Sequence, residues 1–391
     1  MRTLSRLLKP PADSFFLFGP RGVGKTTWAQ KHFSESLRID LLDSQLFLRL
    51  SKEPALLSAI IGNLPENSWI CIDEIQRVPM LLNEVQRLMT QKALRFVLTG
   101  SSARKLKRQG ANLLGGRALV ANMEGLSCAE LGDSTNIDSL ITTGTLPLVI
   151  NKPDLAKDIL DAYLSTYIKE EIREEGIIRK VEPFLRFIEI AGAMNAQKVN
   201  HQNIARDAMV PASNVQNYFS ILVDTLIGHF LPAYRPALKI REVSHPKFYW
   251  FDPGVARAAA GMMREEIEPV SLGYALETLI YHELRVFNQT HNKHRNIYFY
   301  ETGAGAEIDF VIETRKKTHS QKASLVCIEV KNSKTWNSSW ESAIRSVQKE
   351  NRVIVEKAVG IYRGHERLEF ENFTVYPVEQ FMKLLYHGGI F

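Results

Sequence analysis

Nine consecutive residues near the front constrain this chain more than any other feature. Ser14 to Phe18 is a short β-type run, and it leads into Gly19-Pro20-Arg21-Gly22-Val23-Gly24-Lys25-Thr26-Thr27. The stretch matches the strand–GxxxxGK[ST]–helix phosphate loop at every required position. Glycines let such a loop curl until successive backbone N–H groups face a β-phosphate, at a helix N-terminus whose dipole favours anions. Lys25 is then expected to reach the β- and γ-phosphates of ATP, and the Thr26 hydroxyl to ligate Mg²⁺. A Gly-rich turn can match by accident, but the strand before and the helical pattern after it speak for the phosphate loop.

Hydrolysis needs a second element. Trp69-Ile70-Cys71-Ile72 reads as a buried strand ending in Asp73-Glu74. At the C-terminal end of a strand in a doubly wound sheet, such a pair falls beside the phosphate loop. Asp73 is expected to hold Mg²⁺ through water, and Glu74 to polarise the attacking water. A third strand, Arg95 to Thr99, ends in Gly100-Ser101-Ser102. Thr99 or Ser101 can sense the γ-phosphate there; capping the next helix is the equal alternative. The same loop can serve a small-molecule kinase, but the acidic pair suits activation of water better.

At 391 residues the chain is too long for one core, so two or three domains are expected. A hydrophobic share of 45% with 24% charged residues excludes a disordered or fibrous chain. Residues 1–150 alternate apolar runs with helical stretches, the βαβα texture of an α/β parallel sheet. Residues 151–260 read mostly helical, and residues 261–391 combine a long helix pattern (Tyr274 to Phe287) with several β-rich runs. Cys71, Cys128 and Cys327 are too scattered for a zinc motif or a disulfide framework. No signal-like stretch follows Met1 and no run approaches a membrane span, so a cytoplasmic protein without membrane contact is expected.

In the middle region Ile204, Ala205 and Ala208 share a helical face, the pattern breaks at Met209-Val210-Pro211, and it restarts at Ser213, a natural N-cap. This is a helix-turn-helix cadence. Its second helix carries Asn214, Gln216, Asn217 and Ser220 but no cation over residues 212–222. Amides can read bases, yet phosphate anchoring is weak without cations, which favours a structural or protein-contacting role. At the back, Glu307-Ile308-Asp309-Phe310-Val311-Ile312 precedes Cys327-Ile328-Glu329-Val330-Lys331. Positions two apart in a strand share a face, so Glu329 and Lys331 point together. The 20-residue gap between Asp309 and Glu329 suits two antiparallel strands joined through Arg315-Lys316-Lys317. Asp309 and Glu329, with Glu277 on the preceding helix, can converge on a second Mg²⁺ or Mn²⁺, with Lys331 as catalytic partner rather than ligand. A Glu-x-Lys strand is also an ordinary cross-neighbour ion pair.

Two resemblances rest on these residues. Gly19 to Thr27, Ile72-Asp73-Glu74-Ile75-Gln76-Arg77-Val78-Pro79 and Leu98-Thr99-Gly100-Ser101-Ser102 resemble a family of prokaryotic AAA-type ATPases with a further C-terminal region. Leu113-Leu114-Gly115-Gly116-Arg117 resembles that family's Leu-x-Gly-Arg segment, which implies Arg117 as an arginine finger. Acting in trans it implies a homo-oligomer; the alternative is a solvated loop arginine. The family resemblance also implies a winged-helix-like middle, including Lys247-Phe248-Tyr249-Trp250-Phe251-Asp252-Pro253-Gly254. Tyr167-Ile168-Lys169-Glu170-Glu171-Ile172 departs from that family's tyrosine–Arg–Asp pattern by a pair of glutamates. The order of Glu277, Asp309, Glu329 and Lys331 resembles the PD-(D/E)xK nuclease superfamily, which implies a restriction-endonuclease-like α/β domain at the back. The expectation is Mg²⁺-dependent ATP hydrolysis coupled to a domain that binds or processes branched or foreign DNA. The alternative is an ATP-dependent switch whose back domain is an inactive partner-binding module, because residues 261–391 balance 17 Lys plus Arg against 17 Asp plus Glu.

Overall fold

The computed structural model describes residues 4–102, 106, 114–168, 181–235, 245–302, 305–350 and 352–391. Arg104, Lys105, Lys107, Arg108, Leu113 and Lys169 to Ile172 lie outside the described residues. Two compact units divide the chain. The first comprises Ser5–Gly125 with Ser220–Ile227, and the second chiefly Leu126–Phe219 and Gly228–Phe391.

The first unit is built on five strands: β1 (Phe15–Phe18), β2 (Leu37–Asp40), β3 (Trp69–Asp73), β4 (Arg95–Gly100) and β5 (Leu119–Asn122). They pair in parallel throughout, in the order β2-β3-β4-β1-β5. Every β1 residue is buried, as in a strand covered on both faces. Phe16 and Phe18 stack at 5.3 Å in one layer, while Phe15 meets Trp28 and Phe33 in the other. That alternation is the strand's period of two. Helix α1 (Lys25–His32) follows the loop after β1, and α2 (Leu81–Lys92) lays Leu81, Leu82, Val85 and Leu88 on the sheet. These four lie at i, i+1, i+4 and i+7, one apolar face of a helix.

The second unit holds two sheets. The smaller has the order β6-β8-β7 and is formed by β6 (Gln197–Lys198), β7 (Gly228–Leu231) and β8 (Lys247–Trp250). Helices α3 (His201–Ala208) and α4 (Ala212–Asp224) are separated by Met209 in the left-handed conformation, φ 54°, and by Pro211. Helix α4 starts one residue before Ser213, and the Asn214 amide bonds to the Pro211 carbonyl, so Ser213 sits inside the first turn and is no N-cap. Asp252 caps α5 (Pro253–Ala259) through the Val255 amide at 2.9 Å. Helix α6 (Pro269–Thr290) then runs 22 residues and buries Leu276, Leu279, Ile280, Leu284 and Phe287 against the larger sheet.

That sheet is mixed, in the order β13-β14-β12-β11-β10-β9. Its strands are β9 (Asn296–Glu301), β10 (Glu307–Arg315), β11 (Ser324–Lys331), β12 (Ile354–Tyr362), β13 (Leu368–Phe370) and β14 (Phe373–Pro377). β10 and β11 are antiparallel neighbours, with Phe310 opposite Ile328. β11 and β12 are parallel, joined through α7 (Ser342–Glu350), and α8 (Val378–Tyr386) closes the chain. The segment after Gly125 is spent on this unit: Leu126, Leu131, Ile137, Leu140 and Ile141 all enter the α6 core.

Candidate functional site

The first cluster grows out of the loop between β1 and α1. Gly19 packs so closely that an added Cβ would lie 2.2 Å from the Met123 carbonyl oxygen. Gly24 takes φ 94°, a conformation that only glycine adopts without strain, as the loop turns into α1. Lys25 is buried at 6% exposure, its Nζ donating to the carbonyl oxygens of Gly19 at 2.8 Å and Pro20 at 3.0 Å. The ammonium is thus folded over the loop itself. Thr26 and Thr27 are exposed at the mouth, with Arg21. Arg6, which the sequence did not single out, donates to the carbonyls of Val23 at 3.2 Å, Gly125 at 3.1 Å and Glu124, tying the N-terminal segment to the loop.

Strand order explains how the acidic pair arrives. β4 lies between β1 and β3, so Asp73 and the loop stand at the C-terminal ends of strands two apart in one parallel sheet. Thr26 Oγ1 donates to Asp73 Oδ2 at 2.8 Å across that gap, and Thr99 Oγ1 at the end of β4 donates to Asp73 Oδ1. The Glu74 amide bonds to Thr99 Oγ1 at 3.3 Å, and Glu74 itself is left-handed at φ 55°. Gln76, buried and not foreseen, donates from Nε2 to Glu74 Oε2 and to Ser101 Oγ, the latter at 3.2 Å. A hydroxyl beside a carboxylate is a fitting donor set for Mg²⁺, a hard oxygen-seeking ion. Arg117 is exposed on the turn before β5 and makes none of these contacts.

The second cluster lies in the second unit, where α6, β8, β10 and β11 meet. Lys331 Nζ pairs with Glu329 on its own strand and stands 3.6 Å from Asp309 Oδ2. The Val330 amide donates to Asp309 Oδ2 at 2.7 Å, which fixes that carboxylate. Glu277 joins through Lys247, whose Nζ lies 3.6 Å from Glu277, 3.9 Å from Asp309 and in direct contact with Glu307. Tyr249, on the same face of β8, donates its hydroxyl to Glu277 Oε2 at 3.1 Å. Sequence reasoning missed Lys247, Tyr249 and Glu307. A lysine heading a strand whose other residues are Phe248, Tyr249 and Trp250 was the available signal.

Electrostatics follow from that crowding. Burial and the Asp309 charge push Glu277 up to about 8, against the pull of Lys247 and Lys331. Burial and Asp309 likewise raise Glu329 well above the usual carboxylate range. Burial alone would lower Lys247, but Glu277, Asp309 and Glu307 hold it above the ordinary lysine value. One buried oxygen, Glu329 Oε2, has no hydrogen-bond partner. Carboxylates suit a divalent cation, yet among the described residues no three His, Cys, Asp or Glu are placed to hold one. In this arrangement the cluster is filled by ammonium groups and does not fit a metal ion.

Comparison with known proteins bears on the two units differently. Residues 12–132 match the AAA domain family, residues 134–266 a domain of unknown function (DUF8612), and residues 272–381 another (DUF4143). Uncharacterized proteins of Mycobacterium bovis and Mycobacterium tuberculosis are each 23% identical over 383 residues, 95% of this chain and 81% of the relative. Among solved structures, the Aeropyrum pernix Orc1 protein in complex with DNA covers 64% of this chain and 87% of its own at 15% identity, with a TM-score of only 0.26. No helix among the described residues is long and apolar enough to cross a membrane. With its parallel sheet, glycine loop and facing acidic strand end, the stretch over residues 12–132 matches the AAA domain family in both sequence and P-loop fold.

Proposed function

We propose that the chain hydrolyses ATP with Mg²⁺ at the first cluster, and that the second unit is a nuclease-like module through which it engages DNA. The observation that carries the first part is the Thr26–Asp73 hydrogen bond, which joins the phosphate loop to the acidic strand end. Thr26 and Asp73 would hold Mg²⁺, which neutralises developing phosphate charge when bound. Lys25 exchanges its two loop carbonyls for the β- and γ-phosphate oxygens. Glu74 accepts the proton of the attacking water, oriented by Gln76, while Ser101 or Thr99 stands where the γ-phosphate is sensed. Arg117, being exposed and free of this cluster's contacts, suits a finger offered to a neighbouring copy. The test is ATP turnover by wild type and Lys25→Ala, with and without linear and four-way-junction DNA. Equal turnover by the variant would sink the proposal.

Support for the nuclease-like reading is the meeting of Asp309, Glu329 and Lys331 on an antiparallel pair, with Glu277 reaching them from α6. The second reading, an ATP-dependent switch with a partner-binding back unit, is favoured by one observation: lysines already occupy the carboxylates. Mg²⁺- or Mn²⁺-dependent cleavage by wild type and Asp309→Ala separates the two. Cleavage lost in the variant supports the nuclease-like reading; no cleavage by either supports the switch.

A further inference from the structure

The phosphate loop is held by two groups that its own motif does not contain. At its start Gly19 abuts the segment leaving β5: an added Cβ would collide with the Met123 carbonyl, and the Met123 amide donates to the Phe18 carbonyl at 2.7 Å. Further along, the half-buried Arg6 donates through Nη1 to the Val23 carbonyl at 3.2 Å. Its Nη2 donates to the carbonyls of Glu124 and, at 3.1 Å, Gly125. One guanidinium thus joins the loop to the same segment that meets Gly19. The chain beside Arg6 is itself anchored on α1, where Trp28 Nε1 donates to the Leu8 carbonyl at 3.1 Å. A planar guanidinium fork can meet several carbonyls at once, which the compact ammonium of a lysine does not match.

We infer that Arg6 is a positioning residue for phosphate binding, acting through the Val23 carbonyl to hold the loop in the curvature that nucleotide phosphates need. This role rests on the ATP reading of the first cluster and adds to it a residue outside the phosphate-loop motif. The peptide unit between Val23 and Gly24 is planar and trans, so pinning its carbonyl on one side fixes the direction of the Gly24 N–H on the other. Gly24 sits at φ 94°, and a glycine populates either sign of φ, so nothing in its own side chain keeps that amide turned one way. Arg6 supplies the missing restraint. A charged donor on a carbonyl also polarises the peptide and strengthens its amide as a donor to an anion. The gain is preorganisation, which raises affinity by removing a cost of ordering the loop on binding. The chemical step depends instead on the contacts among Thr26, Asp73, Glu74 and Gln76, none of which involves Arg6.

The experiment compares full-length wild type, Arg6→Met and Arg6→Lys by calorimetric titration with ADP, by single-turnover kinetics with ATP, and by thermal unfolding without nucleotide. Arg6→Met should weaken ADP binding and raise the half-saturating ATP concentration by about tenfold, the loss of hydrogen bonds from a charged donor. Its single-turnover rate at saturating ATP should stay within about threefold of wild type, the split expected of a residue that acts on binding and not on the chemistry. Arg6→Lys keeps the charge without the fork and should lose about threefold in affinity. Wild-type affinity in Arg6→Lys overturns the inference, because charge alone would then suffice. So does a saturated rate that falls as steeply as the affinity, the mark of a damaged fold or of a direct part in the chemistry. Should Arg6→Met fail to fold, Arg6→Lys carries the same decision. Lys25→Ala is the reference in every titration. Equal ADP affinity in wild type and Lys25→Ala refutes the ATP reading and this inference with it, whereas binding that needs Lys25 and is indifferent to Arg6 refutes the inference alone.

Discussion

Gln76 determines how Glu74 can act. The carboxylate sits on a left-handed residue at φ 55°, a conformation worth about 1–3 kcal/mol of strain in a non-glycine. It persists because its amide is held by Thr99 and its side chain by the Gln76 amide. On the proposed reading Glu74 is the base, so Glu74→Gln should lower ATP turnover by roughly 10²–10⁴-fold with nucleotide affinity retained. Gln76→Ala removes only the orienting hydrogen bond, worth about 1.5–3 kcal/mol to a charged acceptor, and turnover should fall by roughly 10- to 100-fold. Single-turnover kinetics beside a nucleotide-binding titration checks both; a Gln76→Ala chain that loses nucleotide binding as steeply as turnover would mark the residue as structural. That Lys25, Thr26, Asp73 and Glu74 gather at one end of the parallel sheet was legible, because phosphate chemistry would demand these residue types at fixed spacing. Gln76 was not, since Ile75-Gln76-Arg77-Val78 reads like any amphipathic turn. Its burial depends on a tertiary partner: a Cβ on Gly100 would lie 2.5 Å from Gln76 Oε1. Lys247 was missed for the same reason, because its carboxylates are scattered over residues 277 to 309.

Among the elements, α6 organises the second unit through two kinds of side chain. Its apolar face was readable as a helix pattern, and the strands at Ile308–Ile312 and Leu325–Val330 were readable as apolar runs. The antiparallel pairing of β10 with β11 was readable too, from the short polar turn between them, but nothing local says that β12 should pair β11 in parallel. The second kind of side chain is Glu283, fully buried, which accepts from the Cys128 amide at 2.8 Å and the Tyr386 hydroxyl at 2.6 Å. It therefore pins α8 and the helix Cys128–Leu131 to α6. Burial pushes its carboxyl up to about 7, against the pull of those two donors. The folded chain thus keeps a proton that the unfolded chain releases above about 4.5. The resulting stability is full below that value and is lost as pH rises through 7, with a slope of at most about 1.4 kcal/mol per pH unit. Glu283→Gln should flatten that fall between about pH 5 and 7 in urea unfolding; an unchanged profile would refute the assignment. Asp252 shows the same economy at α5, accepting from Val255, from the Thr145 amide at 2.5 Å and from the Thr145 hydroxyl at 2.9 Å. Asp252→Ala removes a cap and leaves buried donors unpaired, so it should cost about 2–4 kcal/mol, read as a lower urea midpoint.

At the scale of the whole chain, charge says where a polyanion can be held. The formal net charge is +6 with a pI near 9.0, but the excess is uneven. Residues 1–150 carry 18 Lys plus Arg against 13 Asp plus Glu, whereas residues 261–391 balance 17 against 17. In the second unit the cations nearest the carboxylates, Lys247 and Lys331, are already paired. DNA affinity from phosphate contacts grows with each backbone charge neutralised, and each contact contributes about −0.9 to the slope of log affinity against log salt. A back unit without net charge can supply few such contacts, so the nuclease-like reading needs cations from elsewhere. The densest basic run in the sequence is Arg104, Lys105, Lys107 and Arg108, close in sequence to Thr99 and Ser101 of the first cluster. DNA held there would explain a stimulation of ATP turnover without any base reading by the amides of α4. The expected result is a shallow salt slope for the wild type that drops by about 3–4 when all four residues become Gln, measured by fluorescence anisotropy over a salt series. DNA-stimulated turnover should disappear in the same variant while basal turnover remains. A slope that does not change would place the phosphate contacts on the second unit, and the charge balance would then have misidentified the DNA-binding surface.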